Sequence, residues 1–188
     1  SKNDDESLEK AAELLLKIQS RNDDFLNVPF LLGLVYRRLD ELEKSELTFE
    51  EFLKSKPDPH SMLEMSELQV EKNDLTAAEQ YYLNALNNLD EPDALGRVSR
   101  DVTFLLSPEE KRSFEDARDK GKWLKRFWVE RDPTPRTPEN ERLQEHLRRV
   151  SYAMKHFNTP SARGRYDDRG EIYIKYGAPS YRYQDAGR

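Results

Sequence analysis

The sequence predicts a mainly α protein, a helix-turn-helix solenoid over residues 1–106 followed by a smaller α+β segment over 107–188 with one or two C-terminal strands. Three observations predict it. Residue types recur at an offset of 33, pairing Gly33 with Ser66, Leu42 with Leu75, Ser45 with Ala78, Phe49 with Tyr82 and Leu53 with Leu86. Small residues then fall where two helices approach and bulky ones where they interlock, so each helix pair buries its core by stacking on a neighbour. Hydrophobic and charged residues each make up 36% of the chain and mean hydropathy is -0.98, which suits a thin solenoid with much surface per unit of core. Finally, Glu171-Ile172-Tyr173-Ile174-Lys175-Tyr176 alternates between polar and apolar, is rich in β-branched and aromatic residues, and predicts a strand.

The elements follow in order. Leu8, Ala11, Leu15 and Ile18 match Leu42, Ser45, Phe49 and Phe52 at an offset of 34, a second helix without its first. In the next unit Pro29, Leu32, Gly33, Tyr36, Leu42, Ser45, Phe49 and Pro57 fall where a 34-residue helical repeat wants its large, small and terminating residues. A further unit, about Pro59 to Pro92, keeps Ser66, Leu75, Ala78, Tyr82, Ala85 and Leu86 and has Gln69 where tyrosine is usual; Phe52 replaces an alanine in the first. These units resemble tetratricopeptide (TPR) repeats. About three stacked units are needed for stability, so the array is expected to continue upstream or to be capped by the rest of the chain.

Val98, Val102 and Leu105 mark an amphipathic helix ending near Leu106. Ser107-Pro108-Glu109-Glu110 starts another, interrupted near Gly121. Trp123, Leu124, Phe127 and Trp128 form an apolar stripe that must be covered. The prolines from Pro133 onward make a stiff connector, at whose end Thr137 is expected to cap a helix that starts at Pro138 and carries Leu143, Leu147, Val150, Met154 and Phe157. The predicted strand is one edge of a sheet that Tyr181 to Gln184 or another chain would complete.

Charge divides the chain. Residues 1–93 hold 10 basic and 22 acidic residues, a net of -12, and residues 94–188 hold 21 and 15, a net of +6. Such halves attract each other or stack head to tail, and the acidic one repels nucleic acid. No run reaches the roughly 18 apolar residues of a membrane span. With no cysteine there is no disulfide and no thiolate metal site.

From Phe127 onward a second resemblance builds. Phe127-Trp128, Arg131-Asp132-Pro133-Thr134-Pro135, Thr137-Pro138-Glu139-Asn140-Glu141, Glu145-His146, Arg148-Arg149-Val150, Tyr152-Ala153, Phe157, Asp168-Arg169-Gly170 and Tyr173-Ile174-Lys175-Tyr176-Gly177 together resemble the bacterial GWxTD domain. In the name motif, Gly164 to Asp168, Arg165 stands for the tryptophan and Asp167 for the threonine, and the ending is Gly177-Ala178-Pro179-Ser180. The resemblance implies a bacterial, extracytoplasmic protein of a family that joins helical repeats, and it supplies no catalytic residue.

The candidate binding groove is the face lined by the first helix of each pair: Phe30, Leu34, Arg37 and Arg38, then His60, Leu63, Glu64, Glu67 and Glu71. Such grooves take peptides through a few anchors and matched charge; the plainer reading is that Phe30, Leu34 and Leu63 pack on the next unit. Tyr173, Tyr176 and Tyr181 are read as a tyrosine-lined protein interface. Their interleaving with Arg163, Arg165, Arg169, Lys175 and Arg182 also suits single-stranded nucleic acid, a partner the acidic half disfavours. Glu141, Glu145 and His146, with Asp167 and Asp168, could form a metal or acid-base site, though the spacing is unspecific. There is no phosphate-binding glycine loop and no nucleophile arrangement, so neither cofactor nor catalytic residue is expected. The function expected is that of a non-enzymatic adaptor binding a protein partner in a multisubunit complex or homo-assembly. The alternatives are part of a metal-dependent enzyme and self-assembly by donation of the strand.

Overall fold

The structure is a computed structural model describing residues 2–21, 28–89, 91–159 and 165–179. Ten α-helices are described: α1 Lys2–Gln19, α2 Val28–Arg38, α3 Leu42–Ser55, α4 Pro59–Glu71, α5 Leu75–Ala85, α6 Pro92–Val102, α7 Pro108–Asp116, α8 Lys120–Val129, α9 Glu141–His156 and α10 Asp168–Tyr176. Short 3-10 turns follow α5 and α6.

The 33-residue offset is physical. Helices α2 and α3 pair, as do α4 and α5, and α1 packs on α2. In the first pair the Ser45 hydroxyl donates to the Gly33 carbonyl at 2.9 Å; in the second the Ser66 hydroxyl donates to the Ala78 carbonyl at 2.8 Å. The small pair is kept and the hydroxyl changes sides. A Cβ at Gly33 would meet the Phe49 ring at 2.7 Å, so this close approach requires glycine. Both turns between paired helices use one residue at positive φ, Asp40 at 60° and Asn73 at 62°, again 33 apart. Each carries the same bonds: the Glu41 amide donates to the Tyr36 carbonyl at 2.9 Å and the Asp74 amide to the Gln69 carbonyl at 2.8 Å. This is the six-to-one closure of a helix C-terminus, and Asp and Asn tolerate its left-handed residue.

One hydrophobic core crosses from the repeats into the second half. Leu63, Ala78, Tyr82, Ala85 and Leu86 share it with Val98, Val102, Phe114, Trp123, Leu124, Phe127, Trp128, Leu143 and Leu147. The α8 stripe is therefore covered: Trp128 is 1% exposed, between Tyr82, Phe127 and His146. Helix α7 starts where Ser107-Pro108-Glu109-Glu110 predicts it, and its start is a capping box, with Ser107 and Glu110 each accepting from the other's backbone amide. Gly121 lies within α8 rather than between helices; the interruption is at Ala117 to Asp119.

Two expectations are corrected. The helix after the proline connector is capped by Asn140, not Thr137. Asn140 Oδ1 accepts from the Leu143 amide at 2.9 Å, its Nδ2 donates to the Trp128 carbonyl at 2.7 Å, and its own amide donates to the buried Glu79 carboxylate at 3.0 and 3.1 Å. These long-range bonds hold the chain out of the helix until residue 141. The second correction is larger. Glu171 to Tyr176 is helical, and among the described residues there is no strand, so an α+β C-terminal segment is not supported. Asp167 caps α10, Gly170 faces the Tyr166 ring at a distance no side chain would permit, and Ile174, four residues on, is buried against α9. The i, i+4 packing of Gly170 and Ile174 overrides the strand preference of the isoleucines and tyrosines. Gly177, at φ 82°, ends the helix, and Arg149 Nη1 donates to the Ile174 carbonyl at 3.1 Å. The strand-donation reading falls with the strand.

Candidate functional site

The first-helix face expected to bind a partner is built from α2, α4 and α6, and its charges are engaged within the chain. Arg37, near the C-terminus of α2, reaches three carboxylates one turn apart on α4. Its Nη1 donates to Glu64 at 2.6 Å and Glu67 at 3.1 Å, while Nη2 and Nε form a fork on Glu71 at 2.6 and 3.2 Å. From α6, Arg97 donates to Glu64 at 2.5 Å and Glu67 at 2.6 Å. Residues 64, 67 and 71 share one helix face by their spacing, and two arginines on neighbouring helices bridge it.

Arg165, just before α10, joins the same cluster. Its guanidinium contacts Glu67, Met154 and, at 3.1 Å, Asp101, whose other oxygen accepts from the Tyr166 hydroxyl at 2.6 Å. The position the GWxTD signature gives to tryptophan is thus an arginine seated among carboxylates. Burial and carboxylate pairing divide the pKa values. Arg37 is raised by Glu71 and Glu64 despite the opposing cost of burial. Glu64 is lowered because Arg97 and Arg37 outweigh its burial. Burial dominates at Asp101, pushing it up to about 6, and at Arg165, bringing it down to about 10.

The other groove residues divide between packing and exposure. Leu63 is in the core, and Phe30 and Leu34 pack on the cluster of Phe49, Met65 and Leu68. Phe30 stands edge-on to Phe49 with ring centres 6.0 Å apart. His60 Nε2 lies 3.5 Å from Glu91, and Arg38 is exposed.

The C-terminal aromatic face lies elsewhere. Tyr173 of α10 stacks on Tyr152 of α9 at 4.4 Å, with Phe157 beside it at 5.8 Å. On the outer side Ile172 is 60% and Tyr176 70% exposed, and they border a groove of about 440 Å³ with Phe157, Arg169, Tyr173 and Pro179. Tyr181 lies outside the described residues, as do Arg163, Arg182 and Gly164. Of the cations read beside these tyrosines, Arg169 is paired with Asp167 at 2.7 Å and Arg165 is on Glu67 and Asp101.

The residues considered for a metal are not brought together. Glu145 pairs with Arg148 at 2.9 Å and Arg149 at 2.7 Å, Asp167 caps α10, and His146 is buried against Trp128 at 4.7 Å between ring centres. Among the described residues no group of three or more His, Asp or Glu is arranged to hold a metal ion. Burial, with the charges of Arg142 and Arg149, brings His146 down to about 3. A base kept neutral in the fold contributes stability that is full above the ordinary histidine pKa of about 6.5 and is lost as pH falls toward 3. Asp101 acts oppositely, since its raised pKa favours the fold as pH falls through about 6. Comparing wild type with His146→Phe isolates the histidine. The wild type should lose about 1.4 kcal/mol per pH unit relative to the variant between pH 6 and 4 in urea unfolding; parallel pH profiles would refute the buried neutral imidazole.

The sequence reading missed Arg97 and Asp101. Only the opposite net charges of the two halves hinted at them. Among the described residues no helix is long and apolar enough to cross a membrane. The family model of the GWxTD domain matches residues 70–187, from the end of α4 through α10 and beyond. No curated protein and no solved structure matches the chain.

Proposed function

The chain belongs to the GWxTD-domain family, and on that footing we propose that it is a non-enzymatic interaction adaptor whose partner-binding surface is the exposed aromatic face of α10. One observation carries this. Ile172 and Tyr176, one turn apart, are 60% and 70% exposed beside a groove walled by Phe157 and Tyr173. Exposed apolar side chains gathered around a groove mark interaction sites, and tyrosine is enriched at protein interfaces. The stack of Tyr173 on Tyr152 holds the groove wall rigid, which lowers the ordering cost of binding.

The paired helices supply the scaffold. We read them as TPR-like units, supported by the repeated serine-carbonyl bonds and the repeated turns at Asp40 and Asn73. Their role is then to anchor the helices from α6 to α9 through the core that they share with them. A bacterial, extracytoplasmic setting belongs to the same proposal and rests on the family resemblance.

Photocrosslinking in the cells that make the protein tests the surface. Benzoylphenylalanine in place of Tyr176 should yield a discrete protein adduct on irradiation, while the same group in place of the exposed Lys122 of α8 should not. No adduct at 176, or the same adduct from both positions, would remove α10 as the binding face.

A further inference from the structure

The carboxylate seat between α4 and α6 is made for more cation than the repeats supply. Glu64, Glu67, Glu71 and Asp101 converge there, and the helices of that face provide Arg37 and Arg97. Arg37 and Arg97 both grip Glu64 and Glu67, and neither is bonded to Asp101. The guanidinium that completes the seat comes from outside it, from Arg165, with the neighbouring Tyr166 hydroxyl on the second oxygen of Asp101.

Arg37 makes four hydrogen bonds to three carboxylates, whereas Arg165 makes one to a carboxylate, that of Asp101, beside its contact with Glu67. The carboxylates around Arg37 raise its pKa, whereas burial outweighs them at Arg165 and the charge of Arg37 opposes it. Arg165 also borders a small cavity of about 20 Å³ lined by Tyr82, Asp101 and His146. His146 Nδ1 is buried without a hydrogen-bond partner in the protein, and the Tyr82 hydroxyl is buried toward Trp128. Tyr82 is 5% and His146 4% exposed. Beside the seat, then, lies a buried imidazole nitrogen without a partner in the protein, and leaving such a group unmade is costly.

We propose that this seat is a binding site for an arginine-aromatic segment of a partner polypeptide, and that Arg165 and Tyr166 occupy it in cis as a competing internal ligand. A planar guanidinium matches two carboxylates in a way an ammonium does not. The acidic repeat half draws such a segment in, and the internal pair sets a threshold that the partner must exceed. The seat and the α10 groove share no lining residue, so the crosslinking result at Tyr176 neither supports nor removes it.

The probe is a fluorescein-labelled peptide with the sequence of residues 165–170, followed by fluorescence anisotropy on the whole chain. Arg165→Ala should bind it at least tenfold more tightly than wild type. Adding Asp101→Asn should weaken that binding at least tenfold, and a peptide with its first arginine replaced by lysine should bind at least fivefold more weakly. Equal affinity for wild type and Arg165→Ala, or binding indifferent to Asp101→Asn, would overturn the proposal. Should Arg165→Ala not fold, Tyr166→Phe serves, since it removes only the hydroxyl bond to Asp101. It should bind the peptide about threefold more tightly than wild type, and an unchanged affinity would likewise overturn the assignment.

Discussion

Replacing Arg37 with alanine is expected to destabilise the fold by about 3–5 kcal/mol, the cost of breaking a buried ion pair by removing one partner. Its side chain is 14% exposed and bonds three carboxylates on α4. Without it Glu64, Glu67 and Glu71 face one another with Arg97 and Arg165 alone to offset them. Lysine should restore only part of the loss, because its ammonium cannot fork onto Glu71 while reaching Glu64. In urea unfolding the midpoint should fall with little change in slope. A loss below about 1 kcal/mol, the range of an exposed pair, would show that the network is not buried in solution.

Gly121→Ala should be comparably severe. Gly121 sits in the first turn of α8 against the backbone of Leu86, and a Cβ there would collide with the Leu86 carbonyl oxygen. Both sides of the contact are backbone, so no side-chain rotation relieves it. Overpacking usually costs about 1–3 kcal/mol and more where nothing yields; at least 3 kcal/mol is expected here, against the gain of up to about 1 kcal/mol that alanine brings over glycine in an exposed helix. Near-neutral behaviour in thermal or urea unfolding would mean that α8 does not lie on the turn after α5. At Gly96, where a Cβ meets nothing within 4 Å, alanine should be tolerated, which supplies the control.

Much of the fold was legible because it is local. The offset of 33 located the helix pairs down to Gly33, Ser45, Ser66 and Ala78, whose close contacts the structure contains. Ser107 to Glu110 announced a helix start, and the stripe of α8 announced a buried face. What escaped depends on partners far along the chain. Nothing near Asn140 shows that Glu79 and the Trp128 carbonyl will fix it as the cap. Nothing near Ile172 shows that Gly170 and Ile174 will be drawn onto α9 as a helix. Arg37, Glu64, Glu67 and Glu71 were found as a charged face; their mutual pairing, and the arrival of Arg165 some hundred positions later, could not be read from periodicity. The opposite charge of the two halves was the one trace of it.

The contact between the repeat face and the segment before α10 is measured most directly by a double-mutant cycle. Asp101→Asn and Tyr166→Phe would be made singly and together, and stability followed by urea unfolding at pH 7.5, above the raised pKa of Asp101. A hydrogen bond to a charged group contributes about 1.5–3 kcal/mol, so a coupling energy of at least about 1 kcal/mol is expected. Additive effects, within the roughly 0.3–0.5 kcal/mol seen for independent sites, would show that the segment does not rest on the repeats.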